Sequence, residues 1–376
     1  MSKVRYVGLD VHADTIAVAV AEVDGEVRAL GVIPHRPDTI ARALRKLGSP
    51  ADLRVCYEAG PCGYALYWEL VRRGIHCDVV APTLVPVKAG DRVKTDRRDA
   101  VKLARCYRAG DLTPVWVPDP AHEALRDLVR AREAAGRDRL RARHRLAKFL
   151  LRQGQRPPAG VKPWTQKHRA WVQGIGFAHE AHRVTLLDYV GEVDHAAARL
   201  ARLEQAIDGA VATAPPELQA VIAGLQALRG IATLSAVTLV AELGPLSRFR
   251  RSRQLMGYGG LGTQEYSSGA RVRHGPITKA GNAHLRRIAV EAAWAYRHAP
   301  ALRGKLLQRQ QGVSSPVREI AWKAQHRLHQ RWRKLLGRGK PKQQVVTAVG
   351  RELLGFIWAI GVQVEQETRA VAPRAA

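Results

Sequence analysis

The chain has 376 residues, of which 61 are Lys or Arg and 33 are Asp or Glu, so its formal net charge is +28. Hydrophobic residues make up 46% and charged residues 25%, which is enough apolar material for two or three folded cores and excludes a wholly disordered chain. The longest apolar runs, at 231–241 and 353–362, reach only about half of the roughly 20 residues that a membrane-spanning helix needs. We therefore expect no membrane span and, without a secretory leader, a cytoplasmic location.

Strand and helix patterns alternate through the first hundred residues. Apolar, β-branched runs predict three strands before residue 35, and Asp24-Gly25 between the second and the third is a typical hairpin turn. Three antiparallel strands followed by alternating helices and strands predict an α/β domain with an RNase H-like fold over residues 1–118. The predicted elements are strands at 4–10, 15–23 and 26–34, a helix at about 38–47, a strand at 53–58, a helix at about 64–73 and a strand at 75–80.

The chain changes character from Ala121 onward. Apolar residues recur every seven positions and arginines fill many of the positions between them, which predicts a long helix with a narrow apolar seam. Pro157-Pro158 ends this helix, and a second seam runs from Leu186 to Ile207. Residues 119–214 are therefore predicted to form a coiled-coil hairpin or a dimerisation arm. We expect the protein to be a homo-oligomer, either a dimer or a tetramer.

The third predicted part, residues 215–376, begins at Pro215-Pro216 and is largely helical. Its segment 228–233 has the pattern of a hairpin between two helices, which would present backbone amides to phosphate, although an ordinary helix–helix turn fits equally. The segment 257–262 matches a dinucleotide-binding glycine motif in its letters but follows a helix, so we interpret its glycines as permitting close backbone approach. The segment 303–342 holds twelve basic residues, one acid and two tryptophans, Trp322 and Trp332. These tryptophans could stack on bases or could simply be buried, and we expect the segment to contact nucleic acid.

The positive charge is concentrated after residue 100. Residues 1–100 carry 15 basic and 13 acidic residues, so nearly all of the excess charge, +26, lies in residues 101–376. A polycation of this kind neutralises phosphates, which favours a nucleic acid as the partner over an anionic membrane surface. The four cysteines lack CxxC spacing, so we expect neither zinc nor disulfide bonds.

Four acidic residues stand where the predicted strands end or a helix begins. Asp10 closes the first strand, Glu58 closes the fourth, and Asp96 and Asp99 follow Thr95 in the sequence Thr-Asp-Arg-Arg-Asp. If Thr95 caps a helix, Asp96 and Asp99 share one helix face. Carboxylates that converge in this way repel one another unless cations neutralise them, and two Mg²⁺ ions about 4 Å apart would clamp a phosphodiester. The alternative is that Asp10 caps a turn and the other two acids decorate a solvated helix start.

A serine pair among cations forms the second candidate site. Ser267 and Ser268 precede Gly269, and basic residues follow closely. A serine in a turn flanked by glycine and ringed by arginines could attack a phosphate, because the cations would stabilise the developing charge. The alternative is an ordinary turn within a phosphate-contacting patch. The predicted nucleic-acid-binding residues are Arg271, Arg273, Lys279, Arg286 and Arg287.

Five motifs occur in chain order: GLDVH at Gly8–His12, YEAG at Tyr57–Gly60, KTDRRDA at Lys94–Ala100, Leu228–Gly244 and Tyr266–Arg287. Together they resemble those of DEDD-type insertion-sequence transposases, which combine a RuvC-like domain with a serine nucleophile. The resemblance implies that the four acids named above are the catalytic residues and metal ligands of a RuvC-like N-terminal domain. Ser268 matches the nucleophile of the family's C-terminal transposase domain, and the adjacent Ser267 is the alternative.

The resemblance implies Mg²⁺-dependent cleavage and exchange of DNA strands. The implied partners are donor DNA, target DNA and, as in some members of the family, a guide RNA. Two hypotheses compete with this one: a structure-selective RuvC-like nuclease that uses water, and a non-catalytic nucleic-acid-binding protein of architectural function. One departure from compact members of the family is a longer segment between the two arm helices, at 156–179.

Overall fold

The computed structural model describes residues 4–87, 90 and 95–371, which fall into two compact units, Met1–Val117 and Pro118–Ala376. Lys94, the first residue of the KTDRRDA motif, lies outside the described residues. The first unit is α/β and the second is almost entirely helical, as the sequence predicts.

The first unit is built on one five-stranded sheet. Its elements are β1 (Arg5–Val11), β2 (Thr15–Glu22), β3 (Val27–Pro34), α1 (Pro37–Arg45), β4 (Leu53–Glu58), α2 (Ala65–Arg72), β5 (His76–Val80) and α3 (Asp96–Ala109). The strand order is β3-β2-β1-β4-β5; β2 is antiparallel to both neighbours, and β4 is parallel to both of its own. The strands and helices predicted up to residue 80 are confirmed within about two residues, because each is a clear apolar pattern bounded by turn residues.

The two faces of this sheet carry side chains of different size. Large apolar side chains pack with α1 and α2 on one face. On the other face, three alanines of β2 pack on Ala100 and Ala104 of α3. Gly8 of β1 also allows this close approach, since a Cβ there would lie 2.4 Å from the carbonyl oxygen of Ala100. Small residues thus bring the start of α3 to the end of β1.

The second unit consists of two long helices, a short helix between them and a helical bundle. Its elements are α4 (Pro120–Arg152), α5 (Gln166–Gln173), α6 (Glu180–Ala212), α7 (Pro216–Leu225), α8 (Thr233–Leu243), α9 (Ser252–Tyr258), β6 (Thr263–Glu265), β7 (His274–Ile277), α10 (Ala283–Ala293), α11 (Gly304–Arg309), α12 (Ser315–Gly337) and α13 (Lys342–Val371). The sequence analysis did not predict α5 or the β6–β7 hairpin. It described the region that contains α8 and α9 as largely helical and did not predict the break between these two helices.

The long helices α4 and α6 lie side by side and run in opposite directions. Each contains 33 residues. At one end, Leu125 and Ile207 join the main core of the unit, and at the other end a second apolar cluster forms around Phe149 and Leu186. The main core therefore extends across residue 215, where the sequence analysis places a domain boundary. Three ion pairs join the two helices, and their residue numbers rise along α4 as they fall along α6, as expected for antiparallel helices. The pairs are Arg132–Glu204, Asp138–Arg199 and Arg145–Glu192.

The C-terminal helix α13 passes through the middle of the bundle. It packs against α7, α9, α10 and α12, and residues such as Leu353 and Ile360 are fully buried. Residues 342–370 are long and apolar enough to cross a membrane, but half of the most apolar window is buried inside the protein. The core packing accounts for the apolar character of this helix.

One expectation about the basic segment needs correction. Trp332 of α12 is only 5% exposed and packs on Trp294 with ring centres 5.5 Å apart. Its indole ring fills the core and is not available to stack on a base. Trp322, in contrast, is 44% exposed on the same helix.

Candidate active site

Three of the predicted acids meet at the end of β1. Asp10 lies on the α3 side of the sheet, and Asp96 is the first residue of α3. Thr95 caps this helix by accepting a hydrogen bond from the Arg98 amide at 3.3 Å, as the sequence analysis supposed. Asp99 lies near enough to Asp10 for its charge to raise the pKa of that carboxyl.

Glu58 reaches the same edge through the strand register. Leu9 of β1 pairs with Tyr57 of β4 in parallel register, so the next residues, Asp10 and Glu58, lie beside each other. Side chains at matching positions of neighbouring parallel strands point to the same face of a sheet. Glu58 is half-buried and ends β4.

His12 is the member of this cluster that sequence reasoning missed. Its Nε2 lies 3.3 Å from Oδ2 of Asp10 and 3.6 Å from Oδ1 of Asp96. One ligand atom from each of these three side chains lies within 4.8 Å of the others. The signal was present in the GLDVH motif, since a residue two positions after Asp10 in an extended chain points to the same side.

The electrostatics of the cluster favour a bound cation. Burial raises the pKa of Asp10, the imidazole of His12 lowers it, and the charges of Asp99 and Asp96 raise it again; the net shift is upward. Gathering carboxylates therefore has an energetic cost that a divalent cation would offset. Carboxylate oxygens are the donors that hard divalent cations prefer, so these acids fit a divalent metal ion, with the imidazole of His12 beside them.

Ser268 lies at the tip of the β6–β7 hairpin in the second unit. Its amide donates to the carbonyl of Arg271 and its carbonyl accepts from the Arg271 amide, both at 3.1 Å, which closes a two-residue turn. Gly269 is the first central residue, with φ +56°, a position that favours glycine. Ser268 is exposed, and its hydroxyl has no hydrogen-bond partner within residues 4–87, 90 and 95–371.

Ser267 differs from Ser268 in its surroundings. Its hydroxyl donates to Oε1 of Glu265 at 2.7 Å, so it is held by the hairpin itself. The two adjacent hydroxyls therefore differ in their hydrogen bonding, since the Ser267 hydroxyl is held by Glu265 and the Ser268 hydroxyl is exposed.

The base of this hairpin is fixed by contacts between two glycine-containing loops. A Cβ at Gly260 would lie 2.1 Å from the carbonyl oxygen of Ala280, and one at Gly281 would lie 2.2 Å from that of Tyr258. Both glycines have positive φ. The close backbone approach expected for the glycine motif is thus present, and it anchors the hairpin to α9 and α10.

The five predicted phosphate-binding cations divide into two groups. Arg271, Arg273 and Lys279 are exposed on the hairpin and its following loop. Arg286 donates to the carbonyl oxygens of Gly259 and Ala280, at 3.0 and 3.3 Å. Arg287 forms ion pairs with Glu133 and Glu291, at 3.0 and 3.1 Å. The last two arginines therefore hold the loop and α10 in place, whatever else they contact.

A buried acid, Glu242, supports the same loop and escaped the sequence analysis. It is 1% exposed and accepts two hydrogen bonds from the guanidinium of Arg130, at 2.7 and 2.9 Å. The amide of Asn282, which caps α10, donates to it at 2.8 Å. Burial raises the pKa of Glu242, but the hydrogen bonds from Arg130 and Asn282 outweigh it and hold that pKa below its ordinary value.

Comparison with known proteins identifies the class to which this architecture belongs. A family model for DEDD transposases of the IS110 type matches residues 7–153, which include all four acids. A model of the transposase IS116/IS110/IS902 family matches residues 223–306, which include Ser268 and the five cations. The protein is a DNA-transposing enzyme.

Full-length relatives place it within that class. The putative transposase y4qE of Sinorhizobium fredii is 45% identical over 96% of this chain and 90% of its own length. The transposase for insertion sequence element IS1533 of Leptospira borgpetersenii is 31% identical over 89% of this chain and 97% of its own length. The putative transposase y4rJ of Sinorhizobium fredii is 30% identical over 77% of both chains. The chain belongs to the IS110 family of DEDD-type insertion-sequence transposases.

Proposed function

We propose that the protein moves its insertion sequence by Mg²⁺-dependent cleavage and exchange of DNA strands, with Ser268 as the nucleophile and an RNA as the guide. The observation that carries the proposal is the exposed hydroxyl of Ser268 at a glycine turn, with three exposed cations close by in the sequence. Family membership makes DNA the substrate, and a phosphodiester is the group that such a hydroxyl would attack.

The serine step conserves the energy of the DNA backbone. The Ser268 hydroxyl loses its proton as Oγ bonds to phosphorus, and one ester P–O bond of the DNA strand breaks. The departing DNA oxygen keeps the bonding electron pair and takes up a proton. The product is a phosphodiester between Ser268 and the DNA, so a second DNA hydroxyl can reverse the reaction on a new strand without a further energy source.

The exposed cations act on the phosphate that is attacked. Arg271 lies across the turn from Ser268, and Arg273 and Lys279 follow it. In the proposed mechanism these cations bind the non-bridging oxygens of the phosphate and stabilise the charge that develops during attack.

In the first unit, Asp10, Glu58, Asp96 and Asp99 would hold Mg²⁺. The ion would supply stabilisation of the negative charge that develops on phosphate oxygens of the DNA. The strand order β3-β2-β1-β4-β5, with its first three strands antiparallel, supports an RNase H-like (RuvC-like) fold for this unit. The antiparallel pair α4 and α6 supports the coiled-coil arm, through which we propose that the protein forms a homo-oligomer.

Strand exchange by two matched serine variants tests the proposal. Ser268→Ala removes one exposed oxygen, so folding and nucleic-acid binding should persist while strand exchange is lost. Ser267→Ala breaks the hydrogen bond to Glu265 but leaves the proposed nucleophile, so it should retain exchange activity. Undiminished exchange by Ser268→Ala would exclude this serine.

A further inference from the structure

A cavity of about 250 Å³ opens between α4, α5 and α6. It is far larger than the space that a single water molecule needs. Its floor is apolar, formed by residues such as Leu146, Val172 and Val193. Arg143, Trp164 and His168 contribute planar groups to its lining. An apolar floor with planar side chains beside it suits a flat heterocycle.

Trp164 is held in a backbone conformation that bulky residues rarely adopt. Its φ is +63°, and Lys279 is the other non-glycine residue with positive φ in the part of the chain that the structure describes. The guanidinium of Arg143 lies 4.8 Å from the centre of its ring, and the His168 ring lies 5.4 Å away. Such strain persists where surrounding contacts impose it, and it is concentrated at ligand sites. Glycine would adopt this φ without strain. A tryptophan at a position that favours glycine therefore indicates a role for the indole ring itself.

One cation without an acidic partner in the described residues, Arg143, lies against this ring, and a second, Arg139, lies close to Arg143. Arg139 and Arg143 stand one helical turn apart on α4, a like-charged arrangement that destabilises a helix. Neither of them, nor Lys162 or Lys167 close to Trp164 in sequence, forms an ion pair within the described ranges. Arg169, by comparison, makes a two-fold ion pair with Asp194 on α6. An anionic group brought by a ligand would therefore relieve the repulsion between Arg139 and Arg143.

We propose that this pocket binds one unstacked nucleobase of a single-stranded nucleic acid, with the ring of Trp164 against the base and the Arg139–Arg143 pair against a neighbouring phosphate. Aromatic rings combined with cations bind single strands in this way without reading their sequence. Bases in a duplex are stacked and paired, so they enter such a pocket only after being flipped out. The inference rests on the proposed function only in taking nucleic acid as the partner, and it requires neither the metal nor the serine.

Crosslinking followed by peptide mapping tests this proposal at the pocket itself. The probes are single-stranded 12-nucleotide RNA and DNA of the same sequence that carry 5-iodouracil, irradiated with the full-length protein at moderate salt. We expect crosslinks at Trp164 or His168, and the probe with the higher yield identifies RNA or DNA as the occupant. Crosslinks confined to other parts of the chain would overturn the proposal. Ser268→Ala should crosslink as the wild type does, so a failure of the serine mechanism leaves this result unchanged.

Affinity measurements with matched variants supply a second test. Trp164→Gly removes the ring and relieves the strain of the positive φ, which offsets part of the packing lost against Arg143 and His168, so the variant should still fold, and its Tm is measured alongside. It should bind the 12-nucleotide probe about tenfold more weakly, while an abasic oligomer of equal length should bind both proteins alike. Leu187→Ala, at a site 57% exposed on α6 and outside the pocket lining, is the control and should bind as the wild type does. Equal affinity of Trp164→Gly and wild type for the base-bearing probe would contradict a base in this pocket.

Discussion

Removing Arg130 should destabilise the second unit more than neutralising its partner, Glu242. The side chain of Glu242 is 2% exposed and that of Arg130 is 46% exposed, so the two charges differ greatly in their access to water. In Arg130→Met, the buried carboxylate of Glu242 loses both hydrogen bonds from the guanidinium. Within the described residues it keeps the hydrogen bond from Asn282. Leaving a buried charge without its partner costs about 3–5 kcal/mol. In Glu242→Gln, the remaining charge on Arg130 reaches solvent, and the loss is limited to charge-assisted hydrogen bonds, about 2 kcal/mol.

Thermal unfolding followed by tryptophan fluorescence measures this difference, since six of the eight tryptophans lie in the second unit. For a domain of this size, each kcal/mol shifts Tm by about 2–4 °C. Arg130→Met should therefore lower Tm by about 6–20 °C and Glu242→Gln by about 4–8 °C. The control is Arg145→Met, whose partner Glu192 is 41% exposed; this surface pair contributes about 1 kcal/mol or less. An effect of Glu242→Gln as large as that of Arg130→Met would refute the reasoning from burial.

Three further outcomes are expected. Asp10→Asn should abolish strand exchange and leave nucleic-acid binding nearly unchanged in a filter-binding assay; full recombination by this variant with Mg²⁺ present would remove the carboxylate cluster from the mechanism. Gly281→Ala should lower Tm, because φ is +74° and the added Cβ would lie 2.2 Å from the Tyr258 carbonyl oxygen, whereas Gly262→Ala adds its Cβ in open space and should have little effect. Burial lowers the pKa of His168 below its ordinary 6.5, so folding favours the neutral ring; stability should fall as pH drops below about 6.5, and a His168→Gln variant should show a flatter Tm profile over the same range.

The parts of the fold that the sequence predicted are those with a strong local pattern. The five strands of the first unit alternate or run apolar between clear turn residues, and α4 and α6 repeat their apolar residues every seven positions. The β6–β7 hairpin was missed because its strands contain three and four residues and lie in a stretch rich in Gly, Ser and Arg. Its position depends instead on contacts between distant loops, such as the Lys279 amide donating to the Gly260 carbonyl at 3.1 Å.

The site shows the same division. Asp10 and Asp96 could be selected because an acid at the end of a strand or the start of a helix stands out in a sequence. Glu242 could not be selected in this way, and the sequence marks His12 only by its spacing of two residues from Asp10. His12 joins the cluster because α3 brings Asp96 close to it. Glu242 is an acid in an apolar run, and its partners Arg130 and Asn282 are 112 and 40 residues away in sequence. Pairings over such distances are fixed by tertiary packing and leave no local pattern.

The covalent intermediate is the most direct test of the central claim, which is that Ser268 becomes joined to DNA. Wild-type protein would be incubated with Mg²⁺ and a nicked substrate that traps the cleaved state and then digested with trypsin. The tryptic peptide Gln254–Arg271, which contains both serines, would be analysed by fragmentation mass spectrometry. The account predicts a nucleotide attached through phosphate to Ser268, present also in Ser267→Ala and absent in Ser268→Ala. Cleaved DNA with no peptide adduct, carrying an oxygen from labelled water on its new phosphate, would contradict it.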